Sequence, residues 1–135
     1  MFDTKFVIVV RDDLETWQKL NVTAFLSSGI AGNTPEMMGV PYKDAAGNSF
    51  RSLSIQPCMV LSADGNTLGN IHRRALSRGV EAAVYIEEMF ATGHDEANRE
   101  VFGQFNPDDA KVVGIALRTD KKIADKITKG AKLHQ

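Results

Sequence analysis

The residues with most capacity for chemistry are crowded into one short stretch, "TGHDEANR", residues 92–99. Gly93 lets the chain turn tightly, and Thr92 or Asp95 can cap a following helix whose free N–H groups form a small anion-binding end. Asp95 and Asn98 stand about one helical turn apart, as do Asp95 and Arg99, so both pairs share a face. Arg99 presents a planar fork suited to a carboxylate or phosphate. His94 is a candidate general base, because an ordinary imidazole titrates near neutrality. The plainer alternative stays open beside this one: a Thr-Gly-x-Asp turn followed by an Asp95–Arg99 ion pair is also a normal helix start. Asn21 is a second candidate, on a helix face expected to be buried, where an amide needs partners.

These residues must be positioned by elements around them. Four continuous apolar runs read as strands covered on both faces: 5–10, 58–63, 82–86 and 112–117. Helical patterns fall between them. The first spans 16–28, with Trp17, Leu20, Asn21, Ala24 and Ser28 as its inward face and Gly29 as terminator. The second spans 67–78 with Leu68, Ile71, Ala75 and Leu76 inward. The third, 95–105, places Ala97, Val101, Phe102 and Phe105 on one side. The fourth, 120–129, opens at the cap residue Asp120 and buries Ile123 and Ile127. Residues 29–57 are rich in Gly, Pro and Asn, with a hairpin expected around "DAAGN", 44–48. Alternation of strand and helix argues an α/β sandwich with a mainly parallel sheet, folded as one domain, 1–135. "TGHDEANR" follows the carboxyl end of the 82–86 strand, where open α/β sheets bind ligands.

Bulk properties narrow the function. The chain has 135 residues, 43% hydrophobic and 24% charged, with a formal net charge of −1. That balance gives no overall attraction for a polyanion, so tRNA is possible but not favoured as a partner. The basic residues of 73–78 and 121–132 read as solvated helix faces, with no interleaved aromatics for stacking on bases. One cysteine, Cys58, excludes an internal disulfide; in an apolar strand it reads as a buried, inert thiol. No apolar run approaches the ~20 residues of a membrane helix, so a cytoplasmic protein without membrane association is expected. There is no phosphate loop, no dinucleotide fingerprint and no metal-ligand spacing among His72, His94 and Cys58, so no cofactor or metal is expected. His72 reads as a packed core residue.

The stretch "KFVIVVRDDL" resembles the opening strand of peptidyl-tRNA hydrolases of the second type, and "KVVGIALRTDKKIADKITKGAKL" is similar to that family's closing strand, helix and tail. The resemblance implies a three-layer α/β/α sandwich around a four-stranded mixed, mainly parallel sheet, and a homodimer. It also implies inherited catalytic positions: Lys19 within "WQKLN", and Glu88 and Thr92 within "EMFAT". Lys19 lacks the preceding glycine of the active enzymes, helix 16–28 has no histidine, and Phe90 stands where they carry a glycine. A closer likeness, on "LNVTAFLSSGIAG", "YKDAAGN" and "FATGHDEANR", is to a bacterial family of unknown function with that fold; the inserted β-hairpin, within 39–57, fits this family better than the hydrolases.

The reading is therefore a protein that binds or acts on a small molecule. Thr92, His94, Lys19 and Glu88 are the candidate catalytic groups, and Asn21, Asp95, Asn98 and Arg99 the candidate ligand contacts. A divergent peptidyl-tRNA or aminoacyl-ester hydrolase and a non-catalytic interaction module are the alternatives.

Overall fold

The computed structural model describes residues 2–133. Among the described residues the strands are β1 (Thr4–Arg11), β2 (Tyr42–Lys43), β3 (Ser49–Phe50), β4 (Cys58–Ala63), β5 (Ala83–Ile86), β6 (Val112–Asp120) and β7 (Lys132–Leu133). Four α-helices are α1 (Thr16–Gly32), α2 (Gly65–Ser77), α3 (Asp95–Phe102) and α4 (Lys121–Ile127), with short 3-10 turns at Pro35–Met37 and Glu87–Ala91. The main sheet is mixed and five-stranded, in the order β5-β6-β1-β4-β7; β2 and β3 form a separate hairpin.

Two expectations are corrected by this topology. The sheet has five strands rather than four, because Gly130, at φ +100, turns the chain after α4 so that Lys132 and Leu133 pair with Ser62 and Leu61. It is not mainly parallel either: only β1 and β4 pair in parallel, while β6 lies antiparallel to both β1 and β5. The cause is local. A parallel return needs a crossover running back along the sheet. The short α3 instead packs on the turn Glu87–Ala91 just beyond β5, and β6 re-enters from that same end, with Val112 opposite Ile86. The register slips there by one residue: Tyr85 faces Gly114 and Ile86 faces Val112, leaving Val113 as the extra residue of a bulge.

Alternating strand residues build two cores. Val7, Val9, Ile115 and Leu117 point toward Leu68, Ile71, Ala124 and Ile127 of α2 and α4. Phe6, Ile8, Val10 and Ala116 point the other way, toward Val22, Leu26 and Ile30 of α1. The inward face of α1 is therefore the reverse of the one expected: Trp17, Leu20, Asn21, Ala24 and Ser28 are all exposed. Apolar and polar residues are mixed around the helix, so periodicity could not select a face; Gly114 does. A Cβ there would stand 2.5 Å from Val22 Cγ1 and 2.9 Å from Leu26 Cδ1, so α1 lies against bare backbone of β6.

Smaller departures have simple causes. α1 continues past Gly29 to Gly32, and the Asn33 side chain then donates to the Gly29 carbonyl at 2.7 Å. α3 ends at Phe102, before Gly103, short of Phe105. Leu76 of α2 is exposed, whereas His72 is buried as expected. Cys58 is exposed, because β7 covers only the far half of β4; partial desolvation still pushes its thiol up to about 11, so it stays protonated. Asp120 caps α4 as expected, its Oδ1 accepting from Lys122 N at 3.0 Å. Among the described residues, no helix is long and apolar enough to cross a membrane.

Gly114→Ala forces α1 off β6 and should cost about 1–3 kcal/mol as an overpacked core. Urea unfolding measures it; an unchanged midpoint would show that the helix does not depend on this contact.

Candidate functional site

The 3-10 turn after β5 carries the chain to Thr92 and Gly93, and α3 then starts at Asp95. The capping residue is His94, not Thr92 or Asp95: its Nδ1 accepts from Ala97 N at 3.2 Å. The neutral ring then carries its proton on Nε2 and is a donor there, so acting as a base would require giving up the cap. The Thr92 hydroxyl contacts two groups, Met89 O at 2.9 Å and the Asn98 side-chain amide. One hydroxyl has one proton. All three groups are satisfied when Thr92 donates to Met89 O and accepts from Asn98 Nδ2, which turns Oδ1 away from Thr92. Asp95 pairs with Arg99 along the outside of α3, and both side chains are mostly exposed.

These groups border a hollow of about 260 Å³ between α1 and the start of α3. Asn21 lies on one wall; Thr92, His94, Asp95 and Asn98 lie on the other. The floor is aromatic. Tyr85 and Phe90 meet at a tilt of 49° with ring centroids 5.2 Å apart, Phe25 lies 5.8 Å from Tyr85, and Trp17 meets Phe90 edge-on at 5.9 Å. A second hollow of about 420 Å³ adjoins it, sharing Phe25, Tyr85, Met89, Asp95 and Asn98, and reaches Arg99 and Phe102. Burial raises the Tyr85 pKa, keeping the phenol protonated.

Six of the eight sequence-selected residues thus border these two hollows: Asn21, Thr92, His94, Asp95 and Asn98 the first, and Arg99 the second. Asn21 is exposed at the lip rather than buried, for the reason given for α1. Lys19 and Glu88 are not among them. Lys19 is two residues from both Trp17 and Asn21, roughly 200° round the helix from each. Glu88 is half-buried in the 3-10 turn, and its Oε1 has no hydrogen-bond partner. The aromatic wall of Trp17, Phe25, Tyr85 and Phe90 was missed; its only sequence signal was the i, i+8 pair Trp17 and Phe25. Among the described residues no group of three His, Cys, Asp or Glu side chains could hold a metal.

At the strand end, Arg11 of β1 donates to Glu87 Oε2 at 2.9 Å and to Asp13 Oδ1 at 2.5 Å, anchoring the turn that leads into the site.

Fold and hollow together define a small mixed α/β protein with an aromatic-floored, polar-rimmed hollow beyond the carboxyl end of an edge strand. The chain belongs to the DUF2000 family of proteins of unknown function, whose profile matches residues 4–135. It is similar to a protein of unknown function from Agrobacterium tumefaciens strain C58, whose solved structure matches with 62% identity and a TM-score of 0.99 over 100% of both chains. No curated protein matches.

Because Tyr85 is harder to ionise folded than unfolded, it favours the fold below the ordinary phenol range, about pH 10, and that contribution is lost as pH rises through the folded pKa. Stability should fall on alkaline titration, and Tyr85→Phe should flatten that fall. An equal alkaline slope in both proteins would mean that Tyr85 is not held in its neutral form.

Proposed function

We propose that this chain, folded as one domain in the cytoplasm, binds a small aromatic molecule bearing a carbonyl or carboxylate. One observation carries the reading: an aromatic floor and the polar start of α3 meet at the same hollow. The rings favour a planar apolar body. The rim offers the amides of Asn21 and Asn98, which can both donate and accept, and the His94 ring, whose Nε2–H donates to an acceptor group on the ligand. Arg99 in the adjoining hollow adds a cation whose partner Asp95 leaves the lip nearly neutral. A thermal-shift screen with benzoates, benzamides and indole carboxylates against aliphatic acids of equal size tests this, since a ligand of the native state raises its apparent stability. Aromatic compounds should shift the midpoint saturably, and Phe25→Ala and Asn98→Ala should each weaken binding about tenfold or more. Failure of every aromatic compound to bind, or full affinity in both variants, would remove the proposal.

A second reading is a divergent peptidyl-tRNA or aminoacyl-ester hydrolase, distantly related to peptidyl-tRNA hydrolases of the second type. The order of strands and helices supports the relationship, and the unpartnered Glu88 Oε1 supports the chemistry, since a half-buried carboxylate oxygen without a partner is costly to keep for structure alone. Peptidyl-tRNA hydrolysis by the unmodified chain, reduced at least a hundredfold by Glu88→Gln, is the expected result on this reading. Activity unaffected by Glu88→Gln and by Lys19→Ala would leave it without a catalytic basis.

A further inference from the structure

His72 stands where α2 would be expected to carry a hydrocarbon. Its neighbours on the inner side of the helix, Leu68, Ile71 and Ala75, are in the core, and His72 is itself only 8% exposed. Its Nδ1 is buried and has no hydrogen-bond partner among the described residues. A buried polar atom is generally paired, because the bonds it makes to water in the unfolded chain have to be replaced. His72 also lines a hollow of about 300 Å³.

The sheet explains why this hollow exists. β5 is an edge strand, and α2 packs on β6 and β1, further in. Side chains alternate along β5, so Ala83 and Tyr85 join the core beneath α1 while Val84 and Ile86 join the one beneath α2. Val84 and Ile86 line the hollow together with His72, Ala75 and Leu76 of α2. The loop after α3 adds Phe105, Pro107 and Ala110, and Ala110 N donates to Asn106 O at 3.1 Å within that loop. The aromatic-floored hollow of about 260 Å³ lies on the α1 side of β5 and shares no lining residue with this one.

The lining selects an occupant by chemistry. It is hydrocarbon nearly throughout, which favours an apolar body. A volume of about 300 Å³ is at the small end for ligand sites and suits one ring rather than several. Of the described residues that line it, only Glu81 carries a formal charge, and it repels a carboxylate. The imidazole supplies no counter-charge: desolvation lowers its pKa, Arg73 adds to that, and Asp108 opposes it. A neutral ring has one donor and one acceptor nitrogen, and either tautomer is open to His72. A hydroxyl on the ligand meets both, since it donates and accepts.

We propose that this hollow is a binding site of its own, taking a small uncharged alcohol with a hydrocarbon body, its hydroxyl paired with His72 Nδ1. The site stands independently of the ligand reading above.

Cyclohexylmethanol is the probe, with methylcyclohexane and cyclohexanecarboxylate as controls of similar size. In nuclear magnetic resonance titrations of the isotopically labelled chain, the alcohol should saturably shift the His72 ring nitrogens and the methyl groups of Val84 and Ile86. Tyr85 and Asn98 should stay in place. Both controls should bind about tenfold more weakly or worse, one lacking the hydroxyl and the other carrying a charge. His72→Phe keeps a ring of similar size. It should weaken the alcohol about tenfold and leave methylcyclohexane unchanged. No saturation below the alcohol's solubility would overturn the proposal and leave Nδ1 to water. Equal affinity for alcohol and hydrocarbon, tighter binding of the carboxylate, or shifts confined to Tyr85 and Asn98 would overturn it too. If His72→Phe fails to fold, the three compounds compared at the Val84 and Ile86 methyls of the unmodified chain decide on the same criteria.

Discussion

The contact on which the rest of this structure depends is that of α1 against the bare backbone at Gly114. β6 is a central strand, flanked by β5 and β1, so whatever rests on it sets the height of one entire layer. With no side chain at 114, Val22 and Leu26 reach down to the strand, and Tyr85, directly opposite Gly114, comes within range of Phe25. The aromatic floor therefore follows from a missing methyl group. Any lift of the helix would also separate Trp17 from Phe90 and move Asn21 away from the start of α3. Interiors are packed too tightly to absorb such a change locally.

The same neighbourhood contains the bulge at Val113. Opposite it, β5 ends and the turn Glu87–Ala91 begins, so the extra residue sits where the sheet stops and the site starts. Bulges strengthen local twist and re-aim the residues beside them. Arg11 anchors the other side of this turn through Glu87, which holds the segment leading to Thr92 between two fixed points.

How much of this could be read from the sequence depended on whether the signal was local. The four apolar runs were legible because Val and Ile favour pleated, doubly covered backbone. Their direction was not, since composition carries no sign: the alternation that correctly suggested β1, β4 and β5 running the same way also suggested it for β6. β7 has two residues, too few for a pattern. On α1 the signal was ambiguous rather than weak, because apolar and polar residues are mixed around the helix and only a glycine 92 residues away, Gly114, selects a face. The polar rim was legible because its members are nearly consecutive. The aromatic floor was not, because residues 17, 25, 85 and 90 share no local pattern.

The rim residues are mostly engaged with one another, and their engagements differ in strength. The Thr92–Asn98 pair is half-buried, and breaking it would leave the Asn98 side-chain amide without this partner, at a cost of about 1–3 kcal/mol. The His94 cap similarly ties its ring to the first turn of α3. On the proposed function these groups would meet a ligand already ordered, so little rotamer entropy would remain to be lost on binding. The Asp95–Arg99 pair is different. Both side chains face water, and such pairs contribute about 0–1 kcal/mol. Arg99 can exchange Asp95 for an anionic ligand group at almost no cost, whereas Asn98 cannot leave Thr92 so cheaply. The fixed amide would therefore set the position of a bound group, and the mobile guanidinium would respond to its charge.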